Sequence, residues 1–117
     1  MKKIYHLKTC STCQRILREL QPLDGFELQN IKSDAISPDQ LEEMKILAGS
    51  YEALFSRKAM LFRQRGLHEK QLSENDYKNL ILEQYTFLKR PVIIFANQIF
   101  IGNSIKNIEQ AKEKIHS

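Results

Sequence analysis

Both cysteines of this 117-residue chain fall in one stretch, Lys8-Thr9-Cys10-Ser11-Thr12-Cys13-Gln14-Arg15. A thiol reacts as its thiolate, and an unperturbed thiol with a pKa of about 8.5 is only a few per cent ionised at pH 7. A helix N-terminus changes this, because free backbone N–H groups and the positive end of the helix dipole favour the anion. The C-x-x-C spacing puts Cys10 at or just before such a cap, with the N–H groups of Thr12 and Cys13 able to point back at its sulfur. Cys13 then sits in the first turn on the apolar face, as the more buried partner. Cys10 is the expected nucleophile, and Cys13 can resolve its adduct.

His6 precedes Cys10 at the end of an apolar strand, and a protonated imidazole there would lower the thiol pKa further. The bland alternative is a half-buried strand histidine. Lys8 and Arg15 are nearby cations whose side chains can simply reach solvent. Zinc is the main chemical rival for a C-x-x-C pair, but a zinc site normally takes four ligands. Here His68 and His116 are single and remote, so no metal site is expected; an inert pair is the other alternative.

The elements that must hold these residues follow from period and punctuation. Ile4-Tyr5-His6-Leu7 reads as a short buried strand. Cys13, Ile16, Leu17 and Leu20 share one helix face, and Gln21-Pro22 stops that helix. Phe26 to Ile31 alternates apolar and polar, the strand period. Ser37-Pro38-Asp39-Gln40 is a capping-box helix start, Leu41 and Met44 with Leu47 or Ala48 supply its buried face, and Gly49 is its stop. Tyr51–Phe55 and Ala59–Arg65 read as short helical pieces, ended by Gly66. A further helical pattern follows Ser73, with Tyr77, Leu80, Ile81 and Leu88 on one side.

After Arg90-Pro91 the period changes again. Val92 to Phe95 is an apolar strand, Ala96-Asn97-Gln98 turns, and Ile99 to Ile101 returns as a hairpin, although the loop lacks the favoured Asn-Gly pair. Ile105, Ile108, Ala111 and Ile115 mark a last amphipathic helix. The order is β-α-β, a helical insert at about 38–88, then β-β-α. This predicts an α/β chain of thioredoxin-like type, a mixed four-stranded sheet flanked by helices, as one domain over 1–117.

Composition bounds the partners. Hydrophobic residues make up 42% and charged residues 27%, ordinary for a folded globular chain. The net charge of +4 and pI near 9.1 give a general affinity for anions, but the cations are spread and form no basic run, so no direct DNA binding is expected. No apolar segment follows Met1-Lys2-Lys3, and the longest apolar run, Val92 to Ala96, is far short of the roughly 20 residues a span needs. The expectation is a cytoplasmic protein with no membrane contact. Two close cysteines in a reducing compartment are then catalytic, redox-sensing or metal-binding more often than structural.

Ile4-Tyr5-His6 with Cys10, Gly49 and Ser56-Arg57-Lys58 in the insert, and Arg90-Pro91 before Val92-Ile93-Ile94 carry a resemblance. In this order and spacing the chain resembles the arsenate reductase/Spx family of glutaredoxin-like proteins over essentially its whole length. The resemblance implies the same fold, with a cis peptide before Pro91 that bends Arg90 toward Cys10. It implies that Cys10 attacks an oxyanion, that His6 lowers its pKa, and that Arg57 and Arg90 clamp the anion, with Thr12 and Pro91 in the same substrate site. Guanidinium groups suit a tetrahedral oxyanion. For Arg57 the bland alternative is salt bridging on a helix surface.

No cofactor is expected to be bound; glutathione, or a glutaredoxin or thioredoxin, is the implied electron donor. Two departures matter. The third arginine of the reductases falls near Gly102-Asn103 here, and their C-x-x-S is replaced by C-x-x-C. The latter is the pattern of Spx, a redox-sensing regulator that binds the α subunit of RNA polymerase. Gly49 matches the polymerase-contacting glycine of Spx but also occurs in the reductases. The expected function is an arsenate reductase-like thiol–disulfide oxidoreductase acting on an oxyanion or disulfide. The alternatives are a Spx-like regulator, or an interaction module whose cysteine pair does neither.

Overall fold

Strand β1 (Lys2–His6) lies at the middle of the sheet, where it presents Cys10 just beyond its end. In the computed structural model, which describes Met1–Ser117, β1 pairs in parallel with β2 (Glu27–Asn30) and antiparallel with β3 (Val92–Phe95). The fourth strand, β4 (Gln98–Ile101), pairs antiparallel with β3, giving the order β2-β1-β3-β4. The sheet is therefore mixed, as the periods predict. Helix α1 (Ser11–Glu19) makes the crossover between the two parallel strands.

Register puts Ile4 opposite Ile93, and Ile93 opposite Phe100, on one face of the sheet. Onto that face pack Ile16, Leu17 and Leu20 from α1 and its cap, with Ile108 and Ala111 of helix α5 (Ile105–His116). Each fully buried side chain of this size contributes about 1.5–3 kcal/mol relative to exposure, so this cluster is the main hold on α1. At the far end of α1, His116 Nε2 meets the carbonyl of Leu20 at 2.8 Å, tying the two helix ends together.

The hairpin between β3 and β4 is tighter than expected. Ala96 and Asn97 are its two loop residues, both at positive φ (51° and 62°), and Gln98 already belongs to β4. That is the sign pattern of a type I′ turn, which matches the twist of the strands and is reached here without glycine.

By contacts the chain forms two units, Met1–Ala35 with Arg90–Ser117, and Ile36–Lys89. The second holds α2 (Pro38–Ala48), α3 (Met60–Gln64), α4 (Glu74–Glu83) and three single 3-10 turns, Glu52–Leu54, Leu67–Glu69 and Tyr85–Phe87. Ser37 and Ser73 each form a reciprocal capping box, with Gln40 and Asp76. Gly49 ends α2 at φ 94°, where a side chain would be strained. Its core is aromatic: Phe55 is stacked on Phe87 at 5.2 Å and tilted against Tyr77 at 4.9 Å.

This segment is not helical throughout, as its periods suggest. Phe55 and Leu88 form an antiparallel bridge, flanked by Ser56 N–H to Phe87 C=O at 2.7 Å and Lys89 N–H to Leu54 C=O at 2.8 Å. Leu88 is thus extended chain, not a residue of the α4 face, because α4 stops at the extended Gln84. No helix of the chain is long and apolar enough to cross a membrane.

Candidate active site

Cys10 occupies the N-cap of α1 in extended backbone, and no side chain caps that helix end. The loop that brings it there is tied at each step. Lys8 N–H donates to Asn30 Oδ1 at 3.1 Å, Gln14 Nε2 donates to the Lys8 carbonyl at 2.6 Å, and Cys10 N–H donates to the Leu7 carbonyl at 3.0 Å. The Cys10 carbonyl in turn accepts from Gln14 N–H at 3.0 Å, the first bond of the helix. Asn30 and Gln14 are positioning residues that sequence reasoning did not single out. The available signal was an amide residue at the end of β2, beside the strand that delivers the cysteine.

Burial pushes the Cys10 thiol up, but four effects outweigh it and leave the thiol below its ordinary value. These are the Cys13 N–H, the Cys13 thiol, the Thr12 N–H and the charge of Arg90. Cys13 shifts the other way. It is 1% exposed, and burial raises its thiol, aided by the neighbouring Cys10 charge and opposed by the Leu7 N–H. Both cysteines are free thiols. The pair is therefore polarised: the half-buried sulfur ionises first, and the buried one keeps its proton.

His6 is buried, and burial holds its imidazole below its usual range, with Nδ1 enclosed and without a hydrogen-bond partner. Neutral imidazole is the form this environment favours. The positive charge acting on Cys10 is that of Arg90, where the sequence suggested a protonated His6. Arg90 precedes Pro91 through a cis peptide, and Pro91 accepts from Gly102 N–H at 2.9 Å. A second cis peptide, Gln21-Pro22, was not anticipated.

Arg57 lies in the 36–89 unit. Its Nη2 donates to Glu52 Oε2 at 2.7 Å and to the Tyr77 hydroxyl at 2.9 Å, and the Glu52 bond raises the guanidinium further above its ordinary value. Asn103, where the resemblance placed a missing arginine, is exposed at the end of β4. No group of three or more His, Cys, Asp or Glu side chains could hold a metal ion.

Comparison with known proteins fits this geometry. The chain is 23% identical to global transcriptional regulator Spx 2 of Bacillus anthracis over 113 residues, 94% of this chain and 86% of that one. It is 21% identical to the regulator Spx of Lactiplantibacillus plantarum, over 85% and 76% of the two chains. Among solved structures it superposes on the arsenate reductase of Vibrio cholerae with a TM-score of 0.74 and 22% identity, covering 96% of this chain and 95% of that one. That likeness establishes the thioredoxin-like fold. The family model for the ArsC family matches residues 5–111, and the chain belongs to the ArsC family.

Proposed function

We propose that the chain is an arsenate reductase-like thiol–disulfide oxidoreductase in which Cys10 is the nucleophile and Cys13 the resolving thiol. One observation carries this reading: the Cys10 sulfur at the α1 cap faces the Thr12 and Cys13 N–H groups and the Arg90 charge, while Cys13 stays buried. On a disulfide substrate, the Cys10 thiolate forms a bond to one substrate sulfur, and the other sulfur leaves as a thiolate. Cys13, giving up its proton, then attacks the Cys10 sulfur; the intramolecular disulfide forms and the second substrate thiolate is released. Two electrons pass to the substrate, and an external thiol such as glutathione, or a glutaredoxin or thioredoxin, restores the pair.

On an oxyanion, Cys10 displaces one oxygen, which leaves as water after protonation. The external thiol attacks the adduct's sulfur, so that the reduced centre departs with the electron pair and Cys10 is left in a mixed disulfide, which Cys13 resolves. Arg90 is the cation positioned to hold the anion. Arg57, which the family resemblance assigns to the same clamp, is held within its own unit by Glu52 and Tyr77. His6 serves as a neutral neighbour, and Thr12 and Pro91 line the same turn and strand entry. The test is turnover, in assays coupled to glutathione and glutaredoxin, with arsenate in one arm and a mixed disulfide in the other. Turnover that Cys10→Ser abolishes supports the reading; no turnover in either arm removes it.

A second reading is favoured by Cys13 itself and by the Spx names of the curated relatives. In it the Cys10–Cys13 disulfide is a signal, and the chain binds the α subunit of RNA polymerase. Capture of purified α subunit on the immobilised chain, in one redox state more than the other, supports this reading. Absence of capture in both states excludes it.

A further inference from the structure

Within the 36–89 unit opens a cleft of about 480 Å³, a size common among small-ligand sites. Most of its lining is polar, and one side is apolar, formed by the buried Phe62 and Leu67 with Leu72 beside them. Three basic side chains, Arg57, His68 and Lys70, line the same cleft against one carboxylate, Glu52. Neither cysteine takes part.

Glu52 already shows what kind of group the cleft accepts. Its carboxylate receives the Arg57 guanidinium at 2.7 Å, and Tyr77 receives the same nitrogen at 2.9 Å. The Arg57 and Glu52 side chains are 48% and 54% exposed, so the pair is a solvent-screened one that a better anion can displace. The backbone beneath stays put on release, because Glu74 accepts the N–H groups of Tyr51 and Glu52 at 2.7 and 3.0 Å. His68 lies 3.7 Å from Glu69, and Lys70 is exposed, its charge acting weakly on Asp76.

We propose that this cleft is a binding site for the phosphate group of a small phosphorylated molecule. Arg57, Lys70 and His68 hold the phosphate, the Phe62–Leu67–Leu72 wall takes an apolar body, and Glu52 is the internal competitor that binding displaces. A phosphate offers two charges and several acceptors to groups arriving from three positions, which a single carboxylate does not. The site goes beyond the thiol chemistry and stands whether or not Cys10 turns over a substrate.

The experiment titrates inorganic phosphate, phenyl phosphate and benzoate into the ¹⁵N-labelled full chain carrying Cys10→Ser, at constant ionic strength, following the amides of Glu52, Arg57, His68 and Lys70. Saturable shifts at these residues are expected, with phenyl phosphate binding tighter than inorganic phosphate. Glu52→Gln should tighten phosphate binding roughly three- to tenfold by removing the competitor, and Lys70→Ala should weaken it by a similar factor. Both substitutions are at exposed positions, and an unchanged amide spectrum elsewhere confirms the fold. Shifts that never saturate, benzoate binding as tightly as phenyl phosphate, or a Glu52→Gln variant with unchanged affinity would each overturn the proposal.

Discussion

Arg90 acts on Cys10 at one end of the sheet: its guanidinium charge helps to hold the Cys10 thiol below its ordinary value. The pairing of Tyr5 with Val92 explains why residues so far apart in sequence meet. Because β1 and β3 run antiparallel, the chain leaving β1 toward Cys10 and the chain entering β3 from Arg90 lie at the same end of the sheet. Replacing Arg90 by Gln should raise the Cys10 pKa, yet leave it below that of a free thiol, because the Thr12 and Cys13 N–H groups remain. Arg90→Lys should restore part of the shift. Thiolate absorbance followed against pH in a Cys13→Ser background reads both.

Acid should weaken the fold through His6. Its folded-state pKa is depressed by burial below the ordinary 6.5, so the unfolded chain takes up that proton more readily. The contribution is present in full above about pH 6.5 and is lost as pH falls from there toward the folded value. Urea midpoints measured from pH 8 to pH 5 should fall on acidification, and His6→Asn should flatten this slope. An unaltered slope in the variant would show that His6 does not titrate on unfolding.

Most of the sheet and the first helix were legible in the sequence because their signals are local. The run Val92 to Phe95, the i, i+3, i+4, i+7 face of Cys13 to Leu20, and the Ser37-Pro38 start each describe one element. The insert was read less well for a physical reason. Leu88 continues the apolar pattern of α4, but the Phe55–Leu88 bridge, a contact between residues distant in sequence, takes it out of the helix. Likewise, the position of Cys10 at the α1 cap was legible from local sequence, whereas the neutral state favoured for His6 follows from burial that no spacing reveals. The partners of Arg57 belong to the same class, since Tyr77 reaches it only once the aromatic core has formed.

The hairpin offers a gain in stability. Ala96 at φ 51° adopts a left-handed conformation that a side chain without polar atoms does nothing to support. Changing Ala96-Asn97 to Asn-Gly supplies the pair that type I′ turns favour and should raise stability by about 1 kcal/mol. A higher urea midpoint at unchanged m-value is the expected readout; a lower midpoint would show that the turn is of another type.

The central claim is that the two thiols are polarised, with Cys10 activated and Cys13 held protonated. The direct test is the alkylation rate of each cysteine with iodoacetamide near pH 6, resolved by mass spectrometry of the peptides. Cys10 should react much faster than Cys13, and its rate should follow a thiolate titration centred below the ordinary thiol value of about 8.5. Equal rates at the two cysteines, or a Cys10 profile centred at or above that value, would contradict it.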